Sequence, residues 1–215
     1  MRKGTVGAII QARMASTRLP GKTLMEIGGK PLLQHVVEAA QKAAYVDKVV
    51  VATTWLKENK PIIEWAERHY VFCFVYNGPE EDTMARTLAA AQTYDIDHIV
   101  RITPDCPLVE PDRIGLVVAV YLHSLGNYDY VSNLGSSGYI DGLDVEVFSC
   151  EALEKVFSMK TTDFEKEHST QILRMSGQFK THSVQTGCPM SWLKLSVDTE
   201  DDLEFVRAVY RRKGK

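Results

Sequence analysis

Positive charge in this chain gathers where a polyanion could use it. The run Gln11–Lys22 (QARMASTRLPGK) carries Arg13, Arg18 and Lys22, with Ser16, Thr17, Pro20 and Gly21 as turn formers. The first thirty residues hold six Lys or Arg against one acid, Glu26, while the whole chain has a formal charge of −3. Arg offers a planar fork and Lys a compact charge, and both suit phosphate. A loop between a buried strand and a helix adds backbone N–H donors. It is not a standard phosphate motif. Ser16 stands where a P-loop ending in Gly21-Lys22-Thr23 needs its first glycine, and no G-x-G-x-x-G follows the first apolar run. Three solvated loop cations are the plain alternative.

The carboxylates with chemical potential lie far downstream. Asp105 sits in Thr103-Pro104-Asp105-Cys106-Pro107-Leu108, a stiff loop after an apolar run. Mg²⁺ takes one or two protein carboxylates and completes its shell with phosphate oxygens and water, so Asp105 suits it. An Asp that bonds its own turn fits as well. Asp198 closes Ser196-Val197-Asp198-Thr199 and also reads as the start of a helix. Asp144 and Glu146 alternate within Leu143–Phe148, and Glu167-His168 forms a third polar cluster. One of these last four could serve as general base to an attacking hydroxyl. A packed histidine and an ordinary exposed strand face are the bland readings.

These residues need elements to position them. Val6–Ile10, Lys48–Ala52, Val71–Val75, His98–Ile102 and Tyr128–Ser132 read as strands, largely continuous apolar runs of the kind covered on both faces. Helical patterns separate them at Pro31–Ala44, Pro61–His69, Glu80–Tyr94 and Pro111–Ser124. Glu80, Glu81 and Asp82 then fall in a first helical turn, where they suit the dipole. This alternation predicts a mostly parallel sheet with right-handed crossovers. Ligands bind beyond the C-terminal ends of such strands. That edge collects Gln11, Ala12, the Arg13–Lys22 loop, Thr53, Thr54, Asn77, Gly78, Arg101 and Asp105. After Ser132 the pattern changes. Residues 133–142 are turn-rich, and they predict a mobile lid. Leu143–Phe148 alternates as a half-exposed strand showing two carboxylates. Helices follow at Ser149–Met159 and within Thr161–Met175, strands at Lys180–Val184 and Leu193–Val197, and a last helix capped by Thr199. Residues 1–132, 133–198 and 199–215 form one domain.

Composition narrows the class. With 45% hydrophobic and 25% charged residues, the chain is ordinary for a soluble globular protein. No apolar run approaches a membrane span, and the N-terminal run is too short for a signal peptide. A cytoplasmic protein without membrane contact is expected. Cys73, Cys106, Cys150 and Cys188 are widely spaced, which suits neither zinc nor a disulfide framework. Mild acidity and the absence of a basic helix argue against nucleic acid.

The run Gln11–Lys22, followed by Gly28-Gly29-Lys30-Pro31, resembles the N-terminal signature of cytidylyltransferases that activate acidic sugars, the CMP-Kdo synthetase and acylneuraminate cytidylyltransferase type. Gln11, Gly142–Phe148 and Glu167–Thr170 resemble the branch of spore coat polysaccharide biosynthesis protein SpsF. The resemblance implies a three-layer α/β/α sandwich of the nucleotide-diphospho-sugar transferase type and a homodimer. It implies transfer of CMP from CTP to a sugar hydroxyl with release of pyrophosphate. Asp105, in the family's Asp-x-Pro-Leu segment, and Asp198, in its C-terminal Val-Asp-Thr segment, become Mg²⁺ ligands. They can share one ion only if the last strand lies near the fourth. Arg13, Arg18 and Lys22 become ligands of the triphosphate, and Asp144, Glu146, Glu167 and His168 face the sugar. A cavity lined by such carboxylates would favour a neutral or amino sugar. Two further readings stay open: a UTP- or GTP-dependent enzyme acting on a sugar phosphate, and a non-catalytic nucleotide-binding partner in polysaccharide assembly.

Overall fold

Most of the apolar runs become strands covered on both sides, while Phe72 and Val75 of the edge strand stay exposed. In the computed structural model, which describes residues 4–134, 137–159, 162–168, 170–186, 189–190 and 192–212, Ala8 and Ile10 of β1 (Val6–Gln11) enter one core and Ile9 enters another. After the loop come a short hairpin, β2 (Glu26–Ile27) and β3 (Lys30–Pro31), and α1 (Leu32–Lys42). Then follow β4 (Lys48–Thr54), α2 (Lys60–Arg68), β5 (Phe72–Tyr76), α3 (Thr83–Thr93), β6 (His98–Ile102) and α4 (Pro111–His123). The second half contributes β7 (Tyr130–Ser132), β8 (Glu146–Ser149), α5 (Cys150–Phe157), α6 (Asp163–Glu167), α7 (Gln171–Met175), β9 (Thr181–Ser183) and α8 (Glu200–Arg212).

The main sheet has the order β5-β4-β1-β6-β8-β7-β9. The first four of these are mutually parallel, β8 runs antiparallel between β6 and β7, and β9 is parallel to β7. Helices α1, α2 and α4 cover one face, while α3, α5 and α7 cover the other. The result is a three-layer α/β/α sandwich with a mostly parallel sheet. A third, smaller cluster joins Leu19, Ile27, Leu32, Leu108 and Val197 to Leu203 and Val206 of α8. It packs the region around the Arg13–Lys22 loop against the C-terminal helix.

Several elements differ from the sequence expectation. The Leu143–Phe148 segment is not half exposed. Its strand is β8, with Val145, Val147 and Phe148 buried, because β6 and β7 flank it and helices lie over both faces. Glu146 is buried with them, held by an ion pair described below. Leu193–Val197 is not a strand. It crosses the end of the sheet, held by Leu195 N–H on Asp141 O (2.7 Å) and Val197 N–H on Asp105 O (2.8 Å). Those partners belong to loops, so no ladder forms. The Thr161–Met175 helix is two short helices broken at His168. Glu80–Asp82 precede α3: Asp82 caps it by accepting the Ala85 N–H at 2.9 Å, and Glu80 is buried. In the 133–142 lid, Gly135 and Ser136 lie outside the described residues, as does Cys188. The rest is pinned. The Asn133 side chain bridges Leu143 O and Val145 N–H at 2.8 and 2.7 Å, and Arg113 stacks 4.4 Å over Tyr139.

Gly142 shows how closely the last crossing segment is fitted. Its φ is +96°, and a Cβ there would stand 2.2 Å from the Ser196 nitrogen. Gly126, at φ +85°, has nothing within 4 Å of the same position. Gly126→Ala should therefore cost only the left-handed strain, about 1–2 kcal/mol. Gly142→Ala should cost about 2–4 kcal/mol, because backbone must also move. Denaturant titration of both variants checks this, and equal losses would mean that the 193–198 segment is not held by close approach at Gly142.

Candidate functional site

One ammonium gathers the two carboxylates singled out from the sequence. Lys22 Nζ donates to Asp105 Oδ2 at 3.0 Å, to Asp198 Oδ1 at 3.0 Å and to the carbonyl of Val197 at 2.7 Å. Its three donors are all used. Asp105 stands just past β6 and Asp198 just before α8, so the crossing of Leu193–Val197 over the sheet end is what makes them neighbours. Asp198 also meets Arg18 at 2.9 Å and Lys194 at 3.1 Å. Burial acts to raise its pKa, but Lys22 and Lys194 outweigh this and hold it below the ordinary Asp value. Asp202 goes further. Burial again opposes, yet Lys194 and the N–H groups of Asp198 and Thr199 bring it to about 2. This is the capping arrangement anticipated at Thr199, in which the Asp202 N–H reaches Thr199 Oγ1 at 3.2 Å.

The loop between β1 and α1 is fixed by side chains reaching its backbone. Thr23 Oγ1 donates to Arg13 O at 2.8 Å, and Met14 N–H donates to Asn59 Oδ1 at 2.8 Å. Asn59 is buried and donates in turn to Thr54 and Glu80 at 2.7 and 2.6 Å. Gln11 is clamped by Thr83 O and Arg86 at 2.7 and 2.9 Å. These ties expose Arg13, Arg18 and Lys22 to one cleft of about 400 Å³, which also meets Arg86, Asp105, Asp198, Glu167 and His168. Arg13 is paired there with Glu167 at 3.1 Å.

A second chamber of about 240 Å³ adjoins it, because Arg101 and His168 line both. Its other walls include Glu146, Phe164, Thr170 and Arg174. Glu146 forms an ion pair with Arg101, its register partner on β6, and accepts from Tyr130 OH at 2.7 Å. Burial, and then Glu146 itself, push the Tyr130 phenol up, so it remains a donor. The sequence expectation of a carboxylate-lined cavity is corrected here: Arg101 compensates Glu146, and Arg174 adds a cation. The expectation of a neutral or amino sugar loses its basis with it.

The remaining sequence candidates are placed elsewhere. Thr53 and Thr54 are buried in the core, and Thr54 serves the Asn59 network. Ala12 is buried, its N–H bonded to Ala52 O at 3.0 Å. Asn77 is exposed beyond the edge strand β5, and Gly78 lies under the Tyr76 ring. None of these lines either cavity. Asp144 lines neither, although it is half-buried. Sequence reading missed Arg86, Asn59, Thr23 and Lys194. Arg86 alone left a signal, a lone cation on the apolar face of α3. It is 1% exposed, and among the described residues its Nε has no partner. Burial lowers its pKa to about 10, which leaves it charged at neutral pH.

The donor set bears on a metal. Among the described residues no three His, Cys, Asp or Glu form a metal cage. Two carboxylates converging on one cation position remain, and Mg²⁺ accepts such a set when phosphate oxygens and water supply the rest. The residues present fit it.

Comparison with known proteins places the chain in a family. A family model described as cytidylyltransferase matches residues 7–207. An uncharacterized protein of Methanocaldococcus jannaschii is 35% identical over 92% of this chain and 79% of its own length. Spore coat polysaccharide biosynthesis protein SpsF of Bacillus subtilis is 28% identical over 96% of this chain and 87% of its own. Among solved structures, a cytidylyltransferase of Leptospira borgpetersenii superposes with a TM-score of 0.92 at 32% identity, over 98% of this chain and 88% of that one. A CMP:2-keto-3-deoxy-manno-octonic acid synthetase complexed with CTP shares the fold, with a TM-score of 0.71 at 19% identity, over 97% and 99% of the two chains.

Asp144 supplies a pH signature. Burial, then the nearby Asp141, raise its pKa from 3.8 to about 6. Between those values the folded chain keeps a proton that the unfolded chain has lost. Its contribution to stability therefore falls as pH rises through that window. Asp144→Asn should match the wild type in Tm near pH 4 and exceed it at pH 7. Parallel Tm profiles would show that Asp144 is an ordinary solvated acid.

Proposed function

The chain belongs to the cytidylyltransferase family, and from that premise we propose that it transfers CMP from CTP to the hydroxyl of a sugar and releases pyrophosphate. The observation that carries this reading is the meeting of Asp105 and Asp198 at Lys22 inside a cleft edged by Arg13, Arg18 and Arg86. Cations for a triphosphate and carboxylates for a divalent ion stand together at the C-terminal ends of parallel strands, where such sheets bind ligands. The adjoining chamber gives the acceptor a place on the side of Arg101 and His168. The B. subtilis relative's name, a polysaccharide biosynthesis protein, supports a sugar as that acceptor. Consumption of CTP fits a cytoplasmic enzyme.

In the reaction the acceptor oxygen forms a bond to the α-phosphorus, the bond from that phosphorus to the bridging oxygen of pyrophosphate breaks, and the electrons leave with pyrophosphate. Such chemistry depends mainly on positioning and on neutralising the departing charge. Arg13 and Arg18 can bind the phosphates through their forks. Lys22 can do so once it gives up its carboxylate partners. Asp105 and Asp198 would hold Mg²⁺, which supplies further neutralisation of the phosphates when bound. The hydroxyl proton needs an acceptor at the junction of the two cavities, and His168 is the group there that can take it.

A panel of CTP, UTP and GTP, each with and without Mg²⁺, tests the base and the metal together through thermal shift and pyrophosphate release. CTP with Mg²⁺ should give the largest response. In Asp105→Asn and Asp198→Asn, pyrophosphate release should fall by about 10²-fold or more while the fold persists, as for removal of one charge-stabilising group. Wild-type rates in both variants would remove the two carboxylates from the chemistry. Lys22→Ala should weaken CTP more than CMP, with a loss of about 2–3 kcal/mol for the triphosphate. Equal losses would place Lys22 away from the terminal phosphates.

A further inference from the structure

The helix bearing Glu167 is fastened to the body of the protein in an unusual way. α6 buries none of its side chains. It is closed on itself by a capping box between Thr162 and Glu165 and by the Lys166–Asp163 pair at 3.0 Å. Phe164 is exposed and packs on His168, with ring centroids 4.3 Å apart. Among the described residues, Thr83 and Arg13 supply the helix's polar ties to the nucleotide half. The Thr83 hydroxyl reaches the carbonyls of Lys166 and Glu167 at 2.9 and 2.5 Å, and Arg13 pairs with the Glu167 carboxylate at 3.1 Å. Thr83 is fixed in turn by Gln11, whose amide donates to Thr83 O. An element with so little buried apolar surface opens at low cost when a tie is lost.

One of those ties is a cation that the proposed substrate needs. Arg13 lies in the cleft with Arg18, Lys22 and Arg86. A triphosphate brings several negative charges to that cleft, and Glu167 brings one. Phe164 of α6 and His168 just beyond it line the second chamber.

We infer that Glu167 is a positioning residue that competes with the nucleotide's polyphosphate for Arg13, so that nucleotide entry releases α6 and the acceptor chamber takes its working shape only afterwards. Binding is then ordered, nucleotide before acceptor. The inference rests on the nucleotide reading above but assigns to Glu167 a role that a simple sugar contact would not give it. Reciprocity follows: whatever holds Glu167 on Arg13 weakens polyphosphate binding by the same factor.

The test is titration calorimetry of CTP, CMP and inorganic tripolyphosphate against the wild type, Glu167→Gln and Asp163→Asn, with hydrogen exchange followed in the segment 162–175. Asp163 is 99% exposed on the same helix and controls for net charge. Glu167→Gln should bind CTP and tripolyphosphate about 2- to 5-fold more tightly, the range of a half-exposed ion pair. CMP should change less, and Asp163→Asn should change neither polyphosphate. CTP should speed exchange of the segment in the wild type, whereas in Glu167→Gln exchange should already be fast and indifferent to CTP. Weaker CTP binding in Glu167→Gln, or an equal gain in Asp163→Asn, overturns the competition. So does unaltered CTP binding with unaltered exchange. A wild type that binds none of CTP, UTP, GTP or tripolyphosphate overturns the nucleotide reading itself, and this inference with it.

Discussion

Lys22 holds together parts of the chain that are 83 and 176 residues away from it in sequence. Two carboxylates brought this close without a cation would repel, and one would take up a proton. The ammonium removes that cost and uses its third donor on Val197 O, which fixes the crossing segment as well. Much else follows from this placement. The Val197 N–H bond to Asp105 O, the close approach at Gly142 and the cap of α8 all set where Asp198 stands. Thr23 and Asn59, on the other side, set where the loop carrying Lys22 stands. The site is thus a junction between the βα half and the C-terminal helix rather than a feature of one loop.

A second buried pair divides the cleft. Arg101 and Glu146 face each other across β6 and β8, and Tyr130 completes the carboxylate's bonding. Removing either charge would strand the other in the core, which is far costlier than the pair is stabilising. The pair therefore fixes Arg101 where the two cavities meet. Phe164 of α6, a helix with no fully buried side chain, lines the second chamber as well.

The sequence carried the layered fold well, because period and punctuation agree through residues 5–132. Val6–Gln11, Lys48–Thr54 and His98–Ile102 are apolar on both faces, and Pro61 and Pro111 mark helix starts. It carried less of the second half. Leu143–Phe148 alternates in polarity, yet Glu146 is inside, since the Arg that neutralises it lies 45 residues away and no local pattern announces the pair. Leu193–Val197 has strand composition but finds loops as partners. For the site, the residues on strand ends were visible as a set, whereas burial decided their roles. Thr53, Thr54 and Ala12 turned inward, and Arg86, hidden in a helix that read as core, reached the cleft.

The most direct measurement is a crystal structure of the protein with CTP and Mn²⁺, read at Lys22. If the cleft works as described, Lys22 Nζ leaves Asp105 and Asp198 for an oxygen of the triphosphate. An anomalous manganese signal then lies between those two carboxylates. If Lys22 keeps both carboxylates while the triphosphate lies elsewhere, the meeting of Asp105 and Asp198 is a structural clasp, and the site of transfer must be sought away from it.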